Sequence, residues 1–176
     1  MKRLSNYLVM LRGEYPEEVD AVTSCLPKLM TTLDKYKFLD TRTLAYTLVM
    51  AAGELRCRSH FGHHYPIYAP LYRELLNNKC LGGGEGVEGN CLRKAAKLLN
   101  VPREDVAGAF EAALRFTPSR PVAAAVAAAI IRDAVGAPIQ LNEIASIFNV
   151  APHSVRLVRR RGGEELMRVV PNNSTA

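Results

Sequence analysis

The sequence predicts an all-α protein, a helical bundle that ends in a helix-turn-helix. Three observations support this fold class. Apolar residues recur at intervals of three and four over much of the chain, as they do on the buried face of a helix. The alanine-rich residues 121–135 are apolar on almost every side, which is typical of a central, buried helix. Residues 141–161, LNEIASIFNVAPHSVRLVRRR, place small and apolar residues where two helices would meet across a tight turn.

Composition limits the class of protein. The chain has 176 residues, 48% of them hydrophobic and 23% charged, which favours a soluble globular protein over a disordered or membrane one. The basic N-terminus is followed at once by acidic residues without an evident cleavage site, so we expect a mature cytoplasmic protein. Four cysteines in a chain of this length do not predict a disulfide framework.

The first predicted domain, residues 1–81, is an N-terminal helical subdomain. A short apolar segment ends near Gly13, and a helix then begins at Pro16, with acidic residues in its first turn. We expect Pro27 to kink that helix or divide it in two. Asp40 or Thr41 is predicted to cap the next helix. The apolar residues of these helices are predicted to form a core, and no residue in these helices is a candidate for catalysis or ligand binding.

A cluster of cysteine and histidine follows the predicted core helices. Its members can all ligate zinc, and they are Cys57, His60, His63 and His64. The paired ligands of common zinc sites are missing, so we favour a polar loop and expect neither a metal nor a cofactor. Nearby aromatic side chains would either stack on nucleic-acid bases or, as we favour, pack the loop onto neighbouring helices; they are Tyr65, Tyr68 and Tyr72.

Residues 82–90 are predicted to be a glycine-rich, flexible linker. The stretch GGGEGVEG lacks the Gly-Lys-Ser/Thr sequence of a phosphate-binding loop, and its glutamates would repel phosphate. We also find no nucleophile beside a plausible base and no paired carboxylates on one helix face. The sequence therefore predicts that the protein is not an enzyme.

Residues 91–170 form the second predicted domain, followed by a flexible tail at residues 171–176. Two short helices precede a third that opens at Pro121 and ends at Gly136. The helix-turn-helix comes next, with Asn149 as a turn residue that tolerates left-handed backbone. Its second helix is predicted to break at Gly162 and Gly163.

The helix-turn-helix has an internal echo 49 residues upstream. Residues 92–110, LRKAAKLLNVPREDVAGAF, align with residues 141–159, and five positions are identical in the two segments. Such a match predicts that both segments form the same joint between two helices. The exposed positions differ, because Glu104, Ala107 and Glu111 occupy the places of His153, Arg156 and Arg160. The upstream copy is therefore predicted to be structural.

The C-terminal half resembles the cyclin-like repeat of archaeal transcription factor B and of the eukaryotic transcription factor IIB core. The residues that carry the resemblance are SRPVAAAVAAAIIRDAVGAPIQLNEIASIFNVAPHSVRLVRR, and it extends over about residues 100–165. It implies a five-helix unit whose third helix is buried and whose helix-turn-helix reads promoter DNA. Carried over to this chain, Ser154, Val155 and Arg156 lie at the start of the recognition helix, and His153, Arg156 and Arg160 are candidate DNA contacts.

The sequence favours a DNA-binding protein of the transcription-factor type. The second helix carries four arginines and no acid over residues 151–161, and the whole chain has a net charge of +6. We expect Arg156 and Arg160 to contact base edges or phosphates, and Arg159 and Arg161 to contact mainly phosphates. The full set of predicted nucleic-acid contacts is His153, Ser154, Arg156, Arg159, Arg160 and Arg161. The alternative is a helical scaffold within a nucleoprotein complex that binds a partner protein through its N-terminal half. Neither function involves a membrane.

Overall fold

The structure, a computed structural model, describes residues 2–59 and 66–169. Over these ranges the chain forms nine α-helices and no strand, which confirms the predicted all-α fold. The helices are α1 (Lys2–Leu11), α2 (Pro16–Asp34), α3 (Thr41–Leu55), α4 (Ala69–Leu75), α5 (Val87–Leu99), α6 (Arg103–Ala113), α7 (Arg120–Val135), α8 (Leu141–Ile147) and α9 (Pro152–Met167). No described helix is long and apolar enough to cross a membrane.

The described chain divides into two compact units. The first contains residues 2–56 and 66–87, and the second contains residues 57–59 and 88–169. The chain therefore enters the second unit within the first turn of α5, which begins at Val87 inside the segment predicted to be a linker. The short segment 57–59, predicted to belong to the N-terminal subdomain, is part of the second unit.

Helix α3 is central to the first unit, where it packs against α1, α2 and α4. Its first turn is capped by Asp40, whose carboxylate accepts a hydrogen bond from the Thr43 backbone N–H at 2.8 Å, as predicted. Ten of its residues are buried, because the helix is covered on several sides. Of the two predicted outcomes for Pro27, a kink or a division of the helix, the division is wrong, because α2 continues through Pro27 without interruption.

The glycine-rich segment begins with a hydrogen-bonded turn. Gly84 donates its backbone N–H to the Lys79 carbonyl at 2.8 Å, and Leu81 donates to the Asn78 side chain at 2.9 Å. Gly83 and Gly84 have positive φ angles of 63° and 94°, which glycine adopts without the steric cost of a Cβ atom. Glycine is therefore needed here for turn geometry.

Two disulfides contradict the expectation that the four cysteines do not form a disulfide framework. Cys25 is bonded to Cys80 within the first unit, and Cys57 is bonded to Cys91 within the second. Their Cα–Cα distances of 5.9 and 5.1 Å fall within the range that a disulfide spans. The sequence did not predict the pairing because the partners lie 55 and 34 residues apart and meet only through the tertiary fold.

Helix α7 is central to the second unit and packs against α6, α8 and α9. Every residue from Pro121 to Ile131 is buried, as predicted for the alanine-rich helix. Small side chains permit this burial because they let the neighbouring helices approach closely. Ser119 caps the first turn by accepting a hydrogen bond from the Val122 N–H, and Gly136 ends the helix with a left-handed φ of 71°.

Both predicted helix-turn-helix joints are present and share one turn geometry. Asn100 follows α5 with φ 56°, and Asn149 lies between α8 and α9 with φ 52°. After each asparagine, a valine N–H bonds to the carbonyl five residues earlier: Val101 to Ala96 at 3.0 Å, and Val150 to Ala145 at 2.9 Å. The left-handed turn satisfies carbonyls at the end of the first helix of each pair. The internal echo is therefore a structural repeat of the joint.

Candidate nucleic-acid interface

The second helix of the downstream joint, named the recognition helix after its predicted role, comprises residues 152–162 of α9. Val155 and Val158 fix it to the unit, with exposed fractions of only 0% and 4%. The opposite side carries a basic face, defined as the exposed side chains of His153, Arg156, Arg160 and Arg161. His153, Arg156 and Arg160 follow each other at intervals of three and four, so their side chains lie along one side of the helix.

The arginines of the basic face are available for an anionic partner. Among the residues that the structure describes, no ion pair involves Arg156, Arg160 or Arg161, whereas cations such as Arg12, Lys35 and Arg159 are paired with carboxylates. Three like charges close together on one helix repel one another, and a bound anion would relieve that repulsion. Ser154, also predicted to contact nucleic acid, is half-buried beside this face.

Arg159 differs from the other arginines of the helix, because it is engaged within the protein. Its guanidinium donates a hydrogen bond to Asp133 at 2.8 Å, and Asp133 also accepts one from Arg132 at 2.8 Å. This contact ties the recognition helix to the last turn of α7. Arg159 is therefore already paired within the protein, and its predicted contact with phosphate would compete with Asp133.

The pKa of Asp133 is set by these two arginines. Partial burial by itself would raise the pKa, but the hydrogen bonds from Arg159 and Arg132 outweigh it and hold the pKa below its usual value. A carboxyl group whose pKa is lowered by folding stabilises the protein above its unfolded pKa of about 3.9. That stabilisation is lost as the pH falls through the folded pKa.

Replacing Asp133 should have a pH-dependent effect on stability. We expect Asp133→Asn to lower the free energy of unfolding at about pH 6 by no more than about 1 kcal/mol, because the ion pair is partly exposed to solvent. At an acidic pH low enough to protonate the wild-type carboxyl in the folded protein, the difference from the wild type should be close to zero. Urea unfolding followed by circular dichroism at both pH values measures this. An equal difference at both would rule out an electrostatic role for Asp133.

The turn of the helix-turn-helix is supported by a segment that is remote in sequence. Ser59 donates its backbone N–H to the Phe148 carbonyl at 3.0 Å, and the Asn149 side chain donates to the Ser59 carbonyl at 2.7 Å. Lys94 donates to the Ile147 carbonyl at 3.1 Å and lies 5.2 Å from the centre of the Phe148 ring. The lysine charge is favourable there because a helix C-terminus carries a partial negative charge.

The two copies of the helix-turn-helix joint share their turn but differ in the exposed residues of their second helices. The recognition helix and α6 both follow a left-handed asparagine turn. However, the exposed positions of α6 that correspond to His153 and Arg160 are Glu104 and Glu111. At the position equivalent to Arg159, α6 has the buried Phe110. A helix with exposed glutamates at these positions would repel phosphate, so the geometry of the joint alone does not make an interface.

The zinc hypothesis fails for Cys57, because its sulfur is bonded to Cys91 and a disulfide sulfur is not a thiolate ligand. His60, His63 and His64 lie outside the described residues, as does Tyr65. No group of three possible metal ligands occurs in the described part of the chain. Tyr68 and Tyr72 pack against the core of the first unit, which supports packing over base stacking.

Comparison of the chain with protein-family models, with curated proteins and with solved structures found no match. The resemblance to the transcription factor B repeat therefore stays a hypothesis.

Proposed function

We propose that the protein binds double-stranded DNA through its recognition helix, as transcription factors with a helix-turn-helix do. The observation that carries the proposal is the basic face, which places three arginines without acidic partners among the described residues on the exposed side of a firmly docked helix. A helix of this kind fits the major groove of B-form DNA, and arginine binds both phosphates and guanine edges.

The individual roles follow from position along the helix. His153 and Arg156 lie in its first turns, which approach the base edges when a recognition helix enters the groove by its N-terminal end. Arg160 and Arg161 lie further along and contact the phosphate backbone. Arg159 keeps the helix in place through Asp133. In this arrangement His153 and Arg156 distinguish DNA sequences, whereas Arg160 and Arg161 contribute affinity that does not depend on the sequence.

The proposal assigns the protein to the cytoplasm, where DNA of cells without a nucleus is found. Two disulfides are unusual there, because cytosolic thiols are generally kept reduced. Intracellular proteins of hyperthermophiles are the known exception. A cytoplasmic location therefore requires a cytoplasm of that kind, whereas the disulfides by themselves equally fit an oxidising compartment.

Removing two arginines of the basic face should abolish most of the DNA binding. We expect Arg156→Ala/Arg160→Ala to weaken binding to a random-sequence duplex at least tenfold. It should also make the plot of log affinity against log salt concentration shallower by about 2, because two fewer counterions are released. Fluorescence anisotropy with a labelled duplex over a salt series measures both quantities.

The matched control is Lys28→Ala/Lys79→Ala, which removes the same charge from exposed positions of the first unit. It should change affinity less than twofold. Equal loss in both variants would mean that only net charge matters and that the recognition helix is not the site. If the wild type binds neither duplex, single strand nor RNA, nucleic-acid binding is wrong and the scaffold function is favoured.

A further inference from the structure

The recognition helix ends abruptly because of Gly163. Its φ of 48° and ψ of −124° interrupt α9, and this combination is accessible to glycine but strained for residues with a Cβ atom. After the break, Leu166 folds onto Gly162, which has no side chain to obstruct it. Leu166 is only 2% exposed, so the chain beyond the break is fixed to the unit.

The break determines where two glutamates lie. In an uninterrupted helix, Glu164 and Glu165 would follow Arg160 and Arg161 by four residues, the spacing at which opposite charges form ion pairs. In the structure, both acids are directed elsewhere. Glu165 pairs with Arg115 at 3.6 Å, and Glu164 pairs with Arg168 at 3.6 Å.

We propose that Gly163 is a positioning residue of the DNA interface, because the break keeps Glu164 and Glu165 away from Arg160 and Arg161. This inference rests on the proposed function and deepens it. It explains how a chain with two acids directly after its basic helix still presents a face without negative charge. It also assigns Gly163 a role in binding, in addition to its role in ending the helix.

The test is Gly163→Ala. Alanine disfavours the broken conformation, so residue 163 should become helical and bring the glutamates beside the arginines. We expect affinity for a random-sequence duplex to fall five- to tenfold, and the salt dependence to become shallower by 1 to 2, since up to two arginines would be neutralised within the protein. Circular dichroism verifies that the variant is folded.

Rescue separates this electrostatic effect from structural damage. The variant Gly163→Ala/Glu164→Gln/Glu165→Gln should bind within about twofold of Glu164→Gln/Glu165→Gln alone, because the amides cannot neutralise the arginines. A triple variant that stays as weak as Gly163→Ala, or a Gly163→Ala protein that binds like the wild type, would overturn the role of Gly163. By contrast, failure of Arg156→Ala/Arg160→Ala to weaken binding overturns the proposed function itself.

A second variant keeps the inference testable if Gly163→Ala does not fold. Leu157 is half-buried on the recognition helix, three and four residues before Arg160 and Arg161. Leu157→Glu therefore places an acid beside both arginines while the break stays intact. It should bind five- to tenfold more weakly than Leu157→Gln and with a shallower salt dependence. Equal binding by these two variants would show that nearby acids do not matter, and the inference would be wrong.

Discussion

Phe148→Ala is expected to lower the free energy of unfolding of the second unit by about 3–5 kcal/mol, because it removes a large buried side chain and leaves a cavity. Phe148 is completely buried and directly precedes the turn residue Asn149. Its ring also contacts the Lys94 ammonium group, and its carbonyl accepts the hydrogen bond from Ser59. The substitution therefore affects the core and the support of the turn together.

Ile147→Ala is the matched control, since Ile147 is the neighbouring residue but is 41% exposed. It should cost less than about 1 kcal/mol, because most surface substitutions change stability little. Native-state hydrogen exchange of α7 amides reports the stability of the second unit, which matters because a chain with two units need not unfold in one step. A cost below about 1.5 kcal/mol for Phe148→Ala would show that the recognition helix is held mainly by its other contacts.

Local patterns in the sequence predicted the features of the second unit that depend on neighbouring residues. The buried alanine helix, its start near Pro121 and its end at Gly136 all follow from spacing and residue type. The two left-handed asparagines were predicted because few other residues tolerate positive φ, and the 49-residue echo indicated that the turn occurs twice. The break at Gly163 was also predicted from the glycine pair.

Contacts between remote residues were not predictable in this way. Asp133 and Arg159 are 26 residues apart, and nothing near either one indicates an ion pair. Residues 57–59 were predicted to belong to the N-terminal subdomain, because nothing in their local sequence indicates the disulfide to Cys91 that places them beside the helix-turn-helix. The contacts of Lys94 with Ile147 and Phe148 were not predicted either, because a single lysine on an amphipathic helix is usually a solvent-exposed charge. Charge on the recognition helix was visible in the sequence, but which arginine is already paired was not.

The disulfides should be present in the isolated protein. Because all four cysteines are paired, protein prepared without reductant and then unfolded should show no free thiol on alkylation and mass measurement. In the chain-entropy model each disulfide contributes about 4 kcal/mol, and loops of 34 and 55 residues differ by less than about 0.5 kcal/mol. Cys57→Ala/Cys91→Ala and Cys25→Ala/Cys80→Ala should therefore lower stability by similar amounts.

Only the first of these variants should affect DNA binding while the protein is still folded. Cys57–Cys91 anchors the segment whose Ser59 backbone contacts the turn at Phe148 and Asn149, whereas Cys25–Cys80 lies in the other unit. At a temperature where circular dichroism shows both variants folded, we expect Cys57→Ala/Cys91→Ala to bind a duplex about tenfold more weakly and the control to bind like the wild type.

Hydrogen exchange locates the cause within the second unit, because the repeated joint supplies an internal reference. The Val150 amide, bonded to Ala145, should exchange faster in Cys57→Ala/Cys91→Ala, while the corresponding Val101 amide, bonded to Ala96, should change less. Equal acceleration at both amides would indicate general loosening of the unit. If the exchange rate of the Val150 amide is unchanged while DNA binding is weaker, the disulfide affects the interface without acting through the turn.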